Sequence, residues 1–195
     1  ATGRGKEGKP MLEIAKKCAT YEDLYSIPEN AIGEIIEGDL YAHPRPARKH
    51  VWISSRLGSR VIHPYDFGEG GPGGWVILIE PEVGLGDNVL VPDLAGWKKD
   101  RFPREENTNW ISVAPDWICE ILSPSTAMVD MVRKMPIYAG HGVGHAWIVD
   151  PLAKTLGVFR NKAGAWDPIG IYEEAERVCA EPFDELELDM TELWL

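Results

Sequence analysis

The sequence predicts an α/β domain in which helices flank a mixed central β-sheet. Three apolar runs are typical of β-strands: WVILIEPEV (75–83), NVLVPDLAG (88–96) and DWICEIL (116–122). The segments 47–62 and 125–139 have the length and pattern of helices. Helices and strands in this order pack most simply as a mixed sheet with helices on either side.

The length and composition of the chain fit one domain. The 195 residues include 44% hydrophobic and 26% charged side chains, both ordinary for a globular protein. The segment 1–19 begins with a polar, glycine-rich stretch and has no secretory signal, so we expect a flexible leader, a single domain at 20–195 and a cytoplasmic location. No apolar run is long enough to cross a bilayer, and we therefore expect no membrane partner.

The cysteines and histidines do not predict a zinc site. Three cysteines, Cys18, Cys119 and Cys179, are far apart and form no C-x-x-C pair. Neither a zinc site nor a disulfide framework is indicated, which fits a reducing compartment. Ligand-like spacing is also missing from four histidines: His43, His63, His141 and His145.

The first half of the domain reads as a short helix, a hairpin and a longer helix. Thr20 fits the N-cap position of the short helix. The stretch GEIIEGDLYAHP (33–44) predicts a hairpin that turns at Glu37-Gly38. The longer helix covers 47–62. The glycine-rich stretch 63–74 predicts a flexible loop, because it lacks the Lys-Ser/Thr ending of a phosphate-binding loop.

The second half begins with a charged segment, 97–115, which predicts a surface loop. In the helix over 125–139, Pro136 limits or kinks the last turn. Further strands are predicted at 145–150, 155–161 and 165–172, and an acidic tail closes the chain.

Charge is unevenly distributed along the chain. The net charge is −11, which argues against a protein that coats nucleic acid non-specifically. Yet residues 40–65 include no acid, whereas 172–195 hold nine acids and one base. Lys49, Arg56 and Arg60 are spaced to share one helix face. This face is either a contact for nucleic acid or simply a solvated surface.

Two apolar strand candidates each carry one carboxylate near their end, Asp93 and Glu120. Two carboxylates brought together repel each other, and a hard divalent cation removes that penalty. Mg²⁺ is usually held by one or two carboxylates, with water and phosphate as the other ligands. We therefore expect Mg²⁺ or Mn²⁺ here, with a structural network of arginines as the alternative.

The helix after Glu120 supplies a cation. Asp130, Lys134 and Tyr138 are spaced four residues apart and share a face, so Lys134 can point back over the strand end that carries Glu120. A lysine there can orient water or stabilise charge in a transition state. The alternatives are a solvated lysine, an aromatic side chain at the edge of the core for Tyr138, and a structural role for His50.

The order of these residues resembles the Uma-two family, a group of putative endonucleases in the restriction-endonuclease-like PD-(D/E)xK superfamily. The resemblance runs from Tyr21 to the C-terminus. It is sharpest in VPDLAG and in PDWICEILSPSTAMVDMVRKMPIYAGHGVGHAWIVDP. GEIIEGDL, PRPARKH and EPFDELELDMTELW resemble the family's early hairpin, its loop before a helix and its C-terminus.

The resemblance implies a restriction-endonuclease-like core with metal-binding acids on neighbouring strands. Asp93 and Glu120 match the two acids of the family motif and would be both catalytic residues and metal ligands. Glu34 matches the upstream catalytic acid. The motif lysine is replaced by Leu122, and Lys134 matches the lysine thought to take its place in space.

One departure from the family pattern concerns the hairpin. Gly33 stands where an aromatic residue commonly precedes the acid, which leaves Asp39 as an alternative to Glu34.

Two functions follow from the sequence. The first is a Mg²⁺- or Mn²⁺-dependent endonuclease acting on nucleic acid, with DNA as the expected substrate and a homodimer as a possible assembly. Its substrate contacts would be His50, Lys49, Arg56, Arg60 and Tyr138. The second is a non-catalytic module with the same fold that binds nucleic acid or oligomerises, for which Leu122 and the net charge of −11 are the supporting features.

Overall fold

The computed structural model describes residues 18–105 and 107–195 and confirms the predicted α/β architecture. In chain order the strands are β1 (Ala31–Ile36), β2 (Asp39–Pro44), β3 (Trp75–Ile79), β4 (Val83–Leu85), β5 (Asn88–Leu90), β6 (Leu94–Lys98), β7 (Trp117–Ile121), β8 (His145–Asp150), β9 (Thr155–Lys162), β10 (Ala165–Tyr172), β11 (Arg177–Cys179) and β12 (Glu187–Asp189).

The helices are α1 (Tyr21–Leu24), α2 (Arg48–Ile62), α3 (Ala127–Val129) and α4 (Met135–Gly140). Two π-helical turns extend them, His63–Phe67 after α2 and Asp130–Lys134 between α3 and α4, and a 3₁₀ turn covers Met190–Leu193. None of the helices in the described segments is long and apolar enough to span a membrane. The predicted leader, 1–19, falls mostly on residues 1–17, which lie outside the described residues.

The central sheet has six strands in the order β10-β9-β8-β7-β6-β3. Strands β7 and β8 are parallel, and the other neighbours are antiparallel, so the sheet is mixed as predicted. A second sheet has the order β2-β1-β5-β4, and β11 pairs with β12. The predicted hairpin is β1-β2, whose turn residues Glu37 and Gly38 both have positive φ, 53° and 81°. That conformation matches the twist of a two-residue hairpin.

The predicted strands 75–83 and 88–96 were wrong in extent, because each run divides between the two sheets. The first supplies β3 and then β4, and the second supplies β5 and then β6. The breaks fall where the backbone cannot continue a ladder: Glu80 has φ of 48°, and Pro92 has no N–H to donate. The second break places Asp93 directly before β6.

Two predicted loops begin later than expected. The segment 63–74 starts with a π-helical turn, and only residues from Gly68 onward form a loop. The segment 97–115 starts inside β6, where Trp97 is fully buried and its indole N–H donates to the Val113 carbonyl at 2.8 Å. Side-chain burial, rather than local charge, sets the end of this strand.

The predicted helix over 125–139 contains a π-helical turn. Pro136 cannot donate a backbone hydrogen bond, and its ring would crowd the preceding turn of an α-helix. The wider turn, in which the Met135 N–H donates to the Asp130 carbonyl, accommodates it. This turn carries Asp130 and Lys134.

The central sheet has a core on each face. On β7, Trp117, Cys119 and Ile121 point to the face covered by α2, whereas Ile118 points to the face covered by α4. Glu120 therefore faces α4. The C-terminal segment completes the α2 face, because the fully buried Phe183 packs between tryptophan rings; its ring centroid lies 4.8–5.5 Å from those of Trp75, Trp117 and Trp147.

Candidate active site

The ends of several elements enclose a cavity of about 270 Å³. The hairpin β1-β2, the start of α2, the break before β6, the end of β7 and the helix 127–140 all contribute to its wall. Its ionisable lining residues are Glu34, His43, Arg45, His50, Asp93, Glu120, Asp130 and Lys134. The structure thus brings together all four predicted catalytic residues.

Lys134 is the partner of Glu120. Its ammonium Nζ lies 2.9 Å from Glu120 Oε1, and both side chains are 3% exposed. The Tyr138 hydroxyl donates a hydrogen bond to the same oxygen at 2.7 Å. Burial and the neighbouring Glu120 raise the pKa of Tyr138 well above its usual value, so this hydroxyl keeps its proton. The predicted shared face of Lys134 and Tyr138 is confirmed by these contacts.

Glu34 reaches the same ammonium from the other sheet. Its Oε1 lies 3.0 Å from Lys134 Nζ and accepts a hydrogen bond from the Val91 N–H at 2.7 Å, while its Oε2 lies 3.1 Å from His43 Nε2. Burial raises the pKa of Glu34, but the charge of Lys134 and the contacts with His43 and Val91 outweigh it and lower the pKa to about 2. Glu34 is therefore ionised at neutral pH.

Asp93 is held between a histidine and a strand end. Its Oδ1 lies 3.0 Å from His50 Nε2, and its Oδ2 accepts a hydrogen bond from the Ile121 N–H at 2.6 Å. Burial lowers the pKa of His50, but the hydrogen bond and charge of Asp93 outweigh it and raise the pKa. The antiparallel register of β6 and β7, which pairs Leu94 with Cys119, sets Asp93 beside Glu120.

The cavity carries more negative than positive charge. Glu34, Glu120 and Asp130 surround the Lys134 ammonium, and Asp93 lies alongside. Burial lowers the pKa of Lys134, but these carboxylates outweigh it and raise the pKa well above its usual value. Burial also raises the pKa of Glu120 well above its usual value, against the effect of Lys134.

A hard divalent cation fits this charge excess. Asp93 and Glu120 offer carboxylate oxygens to one cavity, as Mg²⁺ requires when water and phosphate complete its shell. Within residues 18–105 and 107–195, no group of three or more His, Cys, Asp or Glu side chains is placed to hold a metal ion.

Three of the predicted substrate contacts lie outside the cavity. Lys49 is exposed on α2. Arg56 lies over the Trp52 ring, with its guanidinium carbon 4.4 Å from the ring centroid, and Arg60 forms an ion pair with Glu192 at 2.9 Å. Of the predicted contacts, His50 does line the cavity.

Tyr138 and Asp39 occupy positions that differ from those expected. Tyr138 is fully buried behind Glu120, so direct contact with a substrate does not fit its position. Asp39 lies at the turn end of β2, opposite Ile36, whereas Glu34 lines the cavity. Asp39, the alternative to Glu34, thus lies farther from the cavity than Glu34 does.

Sequence reasoning assigned no role to three ionisable residues that line the cavity, His43, Arg45 and Asp130. His43 has no ligand-like spacing to another histidine, but the hairpin register pairs Ile32 with His43 and Glu34 with Tyr41, which puts His43 diagonal to Glu34 on one face. This register follows from the predicted turn at 37–38, so the proximity of His43 to Glu34 could have been inferred from the sequence. The spacing predicted that Asp130 shares a helix face with Lys134, but it assigned Asp130 no role in the site. In the structure the Asp130 side chain is buried, at 5% exposure.

Comparisons with known proteins support a nuclease-like fold. The Uma2 family model, described as "Putative restriction endonuclease", matches residues 18–191. A crystal structure of "a putative nuclease belonging to DUF820 from Anabaena variabilis ATCC 29413" is similar, with a TM-score of 0.73 and 29% sequence identity over 90% of this chain and 97% of that chain. No curated protein matches the chain.

Proposed function

The chain belongs to the Uma2 family, as its sequence motifs predicted, and on that premise we propose that it is a metal-dependent nuclease that hydrolyses phosphodiester bonds of nucleic acid, with DNA as the expected substrate. The observation that carries the proposal is the cavity itself. Four carboxylates and one lysine share a small, largely buried space, and Asp93 and Glu120 lie side by side there.

In this proposal Asp93 and Glu120 would hold Mg²⁺ or Mn²⁺. A bound divalent ion would supply Lewis-acid stabilisation of the charge that develops on the phosphoryl group. Because burial raises the pKa of Glu120, a proton and a divalent ion would compete for its carboxylate, and we expect the affinity for the ion to rise with pH.

The remaining cavity residues act on the water and the phosphate. Lys134 holds a positive charge inside the cavity, where it orients an attacking water and stabilises negative charge in the transition state. His50, fixed by Asp93, presents an imidazole to the cavity and contacts a phosphate oxygen. Tyr138 fixes the Glu120 carboxylate from behind. Lys49 and Arg56 hold the nucleic-acid backbone outside the cavity.

A non-catalytic nucleic-acid-binding or oligomerising module is the second candidate. The observation that favours it is that Glu120 is already satisfied by Lys134 and Tyr138 within the protein itself. A buried ion pair of this kind can be purely structural. Metal binding and cleavage distinguish the two candidates.

The test begins with thermal unfolding of the protein in Mg²⁺ or Mn²⁺. A ligand at a hundred times its Kd stabilises the native state by about 2.7 kcal/mol, which for a chain of this size raises Tm by roughly 5–10 °C. We expect this rise in the wild type and its loss in Asp93→Ala. The matched control is Asp100→Ala, because Asp100 is exposed in a turn after β6 and should leave the rise unchanged.

Cleavage is then measured on supercoiled plasmid, single-stranded DNA and RNA. Lys134→Ala and Glu120→Gln should abolish metal-dependent cleavage, whereas Asp100→Ala should retain it. Undiminished cleavage by Lys134→Ala would assign the activity to another site or a contaminant. Absence of both a metal-dependent Tm shift and cleavage would favour the non-catalytic module.

A further inference from the structure

Asp130 is a buried acid to which the proposed reaction assigns no role. It is 5% exposed and lines the cavity, and its Oδ1 lies 3.5 Å from Lys134 Nζ. The other two carboxylates around the ammonium are closer, with Glu120 at 2.9 Å and Glu34 at 3.0 Å. Asp130 is thus the outermost of three acids that compete for one cation.

The backbone fixes Asp130 relative to Lys134. Both residues lie on the π-helical turn 130–134, and the Asp130 N–H donates to the Thr126 carbonyl at 2.9 Å. Glu34 and Glu120, by contrast, come from strands of two different sheets. When Lys134 leaves one of those strand carboxylates, Asp130 remains within reach, because it moves with the same helix.

Binding of a divalent ion changes the balance around Lys134. An ion on Glu120 and an ammonium on the same carboxylate repel each other, and this repulsion is strong in a buried site. Lys134 must then shift its contacts towards other anions. Glu34 stays available, since His43 and the Val91 N–H hold it as an ionised group, and Asp130 offers the second position.

We propose that Asp130 is a positioning residue that receives the ammonium of Lys134 when a divalent cation binds Glu120. Lys134 is then held between Glu34 and Asp130, inside the cavity, while Glu120 turns to the cation. Without Asp130, Lys134 stays on Glu120 and competes with the cation. This inference rests on the proposed metal-dependent function, and it gives Asp130 and the π-helical turn a role in it.

The test is a double-mutant cycle on Mn²⁺ affinity, measured by isothermal titration calorimetry with the full chain. The four proteins are the wild type, Lys134→Met, Asp130→Asn and the double variant. We expect Lys134→Met to bind Mn²⁺ more tightly and Asp130→Asn more weakly, each by about tenfold, the scale on which residues next to metal ligands act. In the Lys134→Met background, Asp130→Asn should change affinity by less than about twofold, because Asp130 acts through the lysine.

The cycle separates this role from simple attraction between Asp130 and the cation. If Asp130→Asn weakens Mn²⁺ binding equally with and without Lys134, Asp130 acts through its own charge, and the inference is overturned while the proposed function stands. Absence of Mn²⁺ binding in all four proteins overturns both. Circular dichroism melting establishes that each variant is folded, and Lys134→Gln, which keeps a donor for Glu120, replaces Lys134→Met if that variant does not fold.

Discussion

At the scale of single residues, Glu120 shows how a carboxylate is kept inside an apolar strand. Burial disfavours its charge, and the Lys134 ammonium and Tyr138 hydroxyl offset that cost within hydrogen-bonding distance. We predicted a metal as the partner of Glu120; the contact that the structure shows is Lys134, and the metal stays a prediction. No arginine is found on Asp93 or Glu120 among the contacts of the described residues, so the arginine network that the sequence left open is replaced by Lys134 and His50.

The titration of Glu34 gives a prediction about stability. Its pKa is about 2 in the folded protein against 4.5 ordinarily, so its stabilising effect is complete above about pH 4.5 and is lost as pH falls towards about 2. The full shift corresponds to about 3 kcal/mol of unfolding free energy. Urea unfolding between pH 7 and pH 3 should show a smaller loss of stability in Glu34→Gln than in the wild type.

The matched control for this prediction is Glu29→Gln, since Glu29 is exposed before β1. Its stability should follow the wild-type pH dependence. Parallel curves for the wild type and Glu34→Gln would show that Glu34 does not carry the acid sensitivity.

At the scale of elements, the packing of the hairpin β1-β2 depends on Gly33, the residue that departs from the family pattern. A Cβ at Gly33 would lie 2.9 Å from Ile27 Cγ1 and 3.0 Å from Leu24 Cδ2. The end of α1 and the segment after it therefore pack directly on the backbone of β1, next to Glu34. An aromatic side chain has no room on this face, and the departure at Gly33 does not displace Glu34 from the cavity.

We predict that Gly33→Ala destabilises the protein by about 1–3 kcal/mol, because Ile27 or β1 must shift. The matched control is Gly140→Ala at the end of α4, where nothing lies within 4 Å of the added Cβ. Alanine there should be neutral or stabilise by about 0.4–1 kcal/mol. Chemical denaturation of both variants measures the difference, and equal stability of the two would refute the packing argument.

The sequence predicted elements wherever local pattern decided them. The hairpin turn at 37–38, the helix over 47–62 and the strand 145–150 needed only turn chemistry and periodicity. Prediction from the sequence failed where contacts with residues distant in the chain determine the structure. The run 75–83 keeps an apolar pattern through Glu80 although it changes sheets there, and the contact between His43 and Glu34 depends on hairpin register rather than on spacing.

At the scale of the whole molecule, the charge distribution restricts how a polyanion can approach. The net charge is −11, and the cavity itself is rich in acids. Exposed basic groups lie on α2 beside the cavity, in addition to Arg45 and Lys134, which line it. Lys49 is exposed next to His50, whereas Arg60 is already paired with Glu192. If the proposed function holds, we therefore expect a nucleic acid to be held chiefly from the α2 side.

This arrangement predicts unequal effects of two basic residues on nucleic-acid binding. Lys49→Ala should weaken affinity for a duplex and reduce the slope of log K against log salt by about one, as expected for one lost phosphate contact. Arg60→Ala should have a smaller effect, because Glu192 already neutralises Arg60. Fluorescence anisotropy at several salt concentrations, without divalent ions, measures both; an equal loss in the two variants would contradict the assignment.

The position of Phe183 has a consequence for how the protein is made. All six strands of the central sheet have been synthesised by Tyr172, yet the ring that fills the space between Trp75, Trp117 and Trp147 comes later. A nascent chain that stalls after β10 would expose an apolar surface lined by these three indole rings, to which chaperones can bind. The interior between these three rings therefore closes only after the segment that carries Phe183 has been added to the chain.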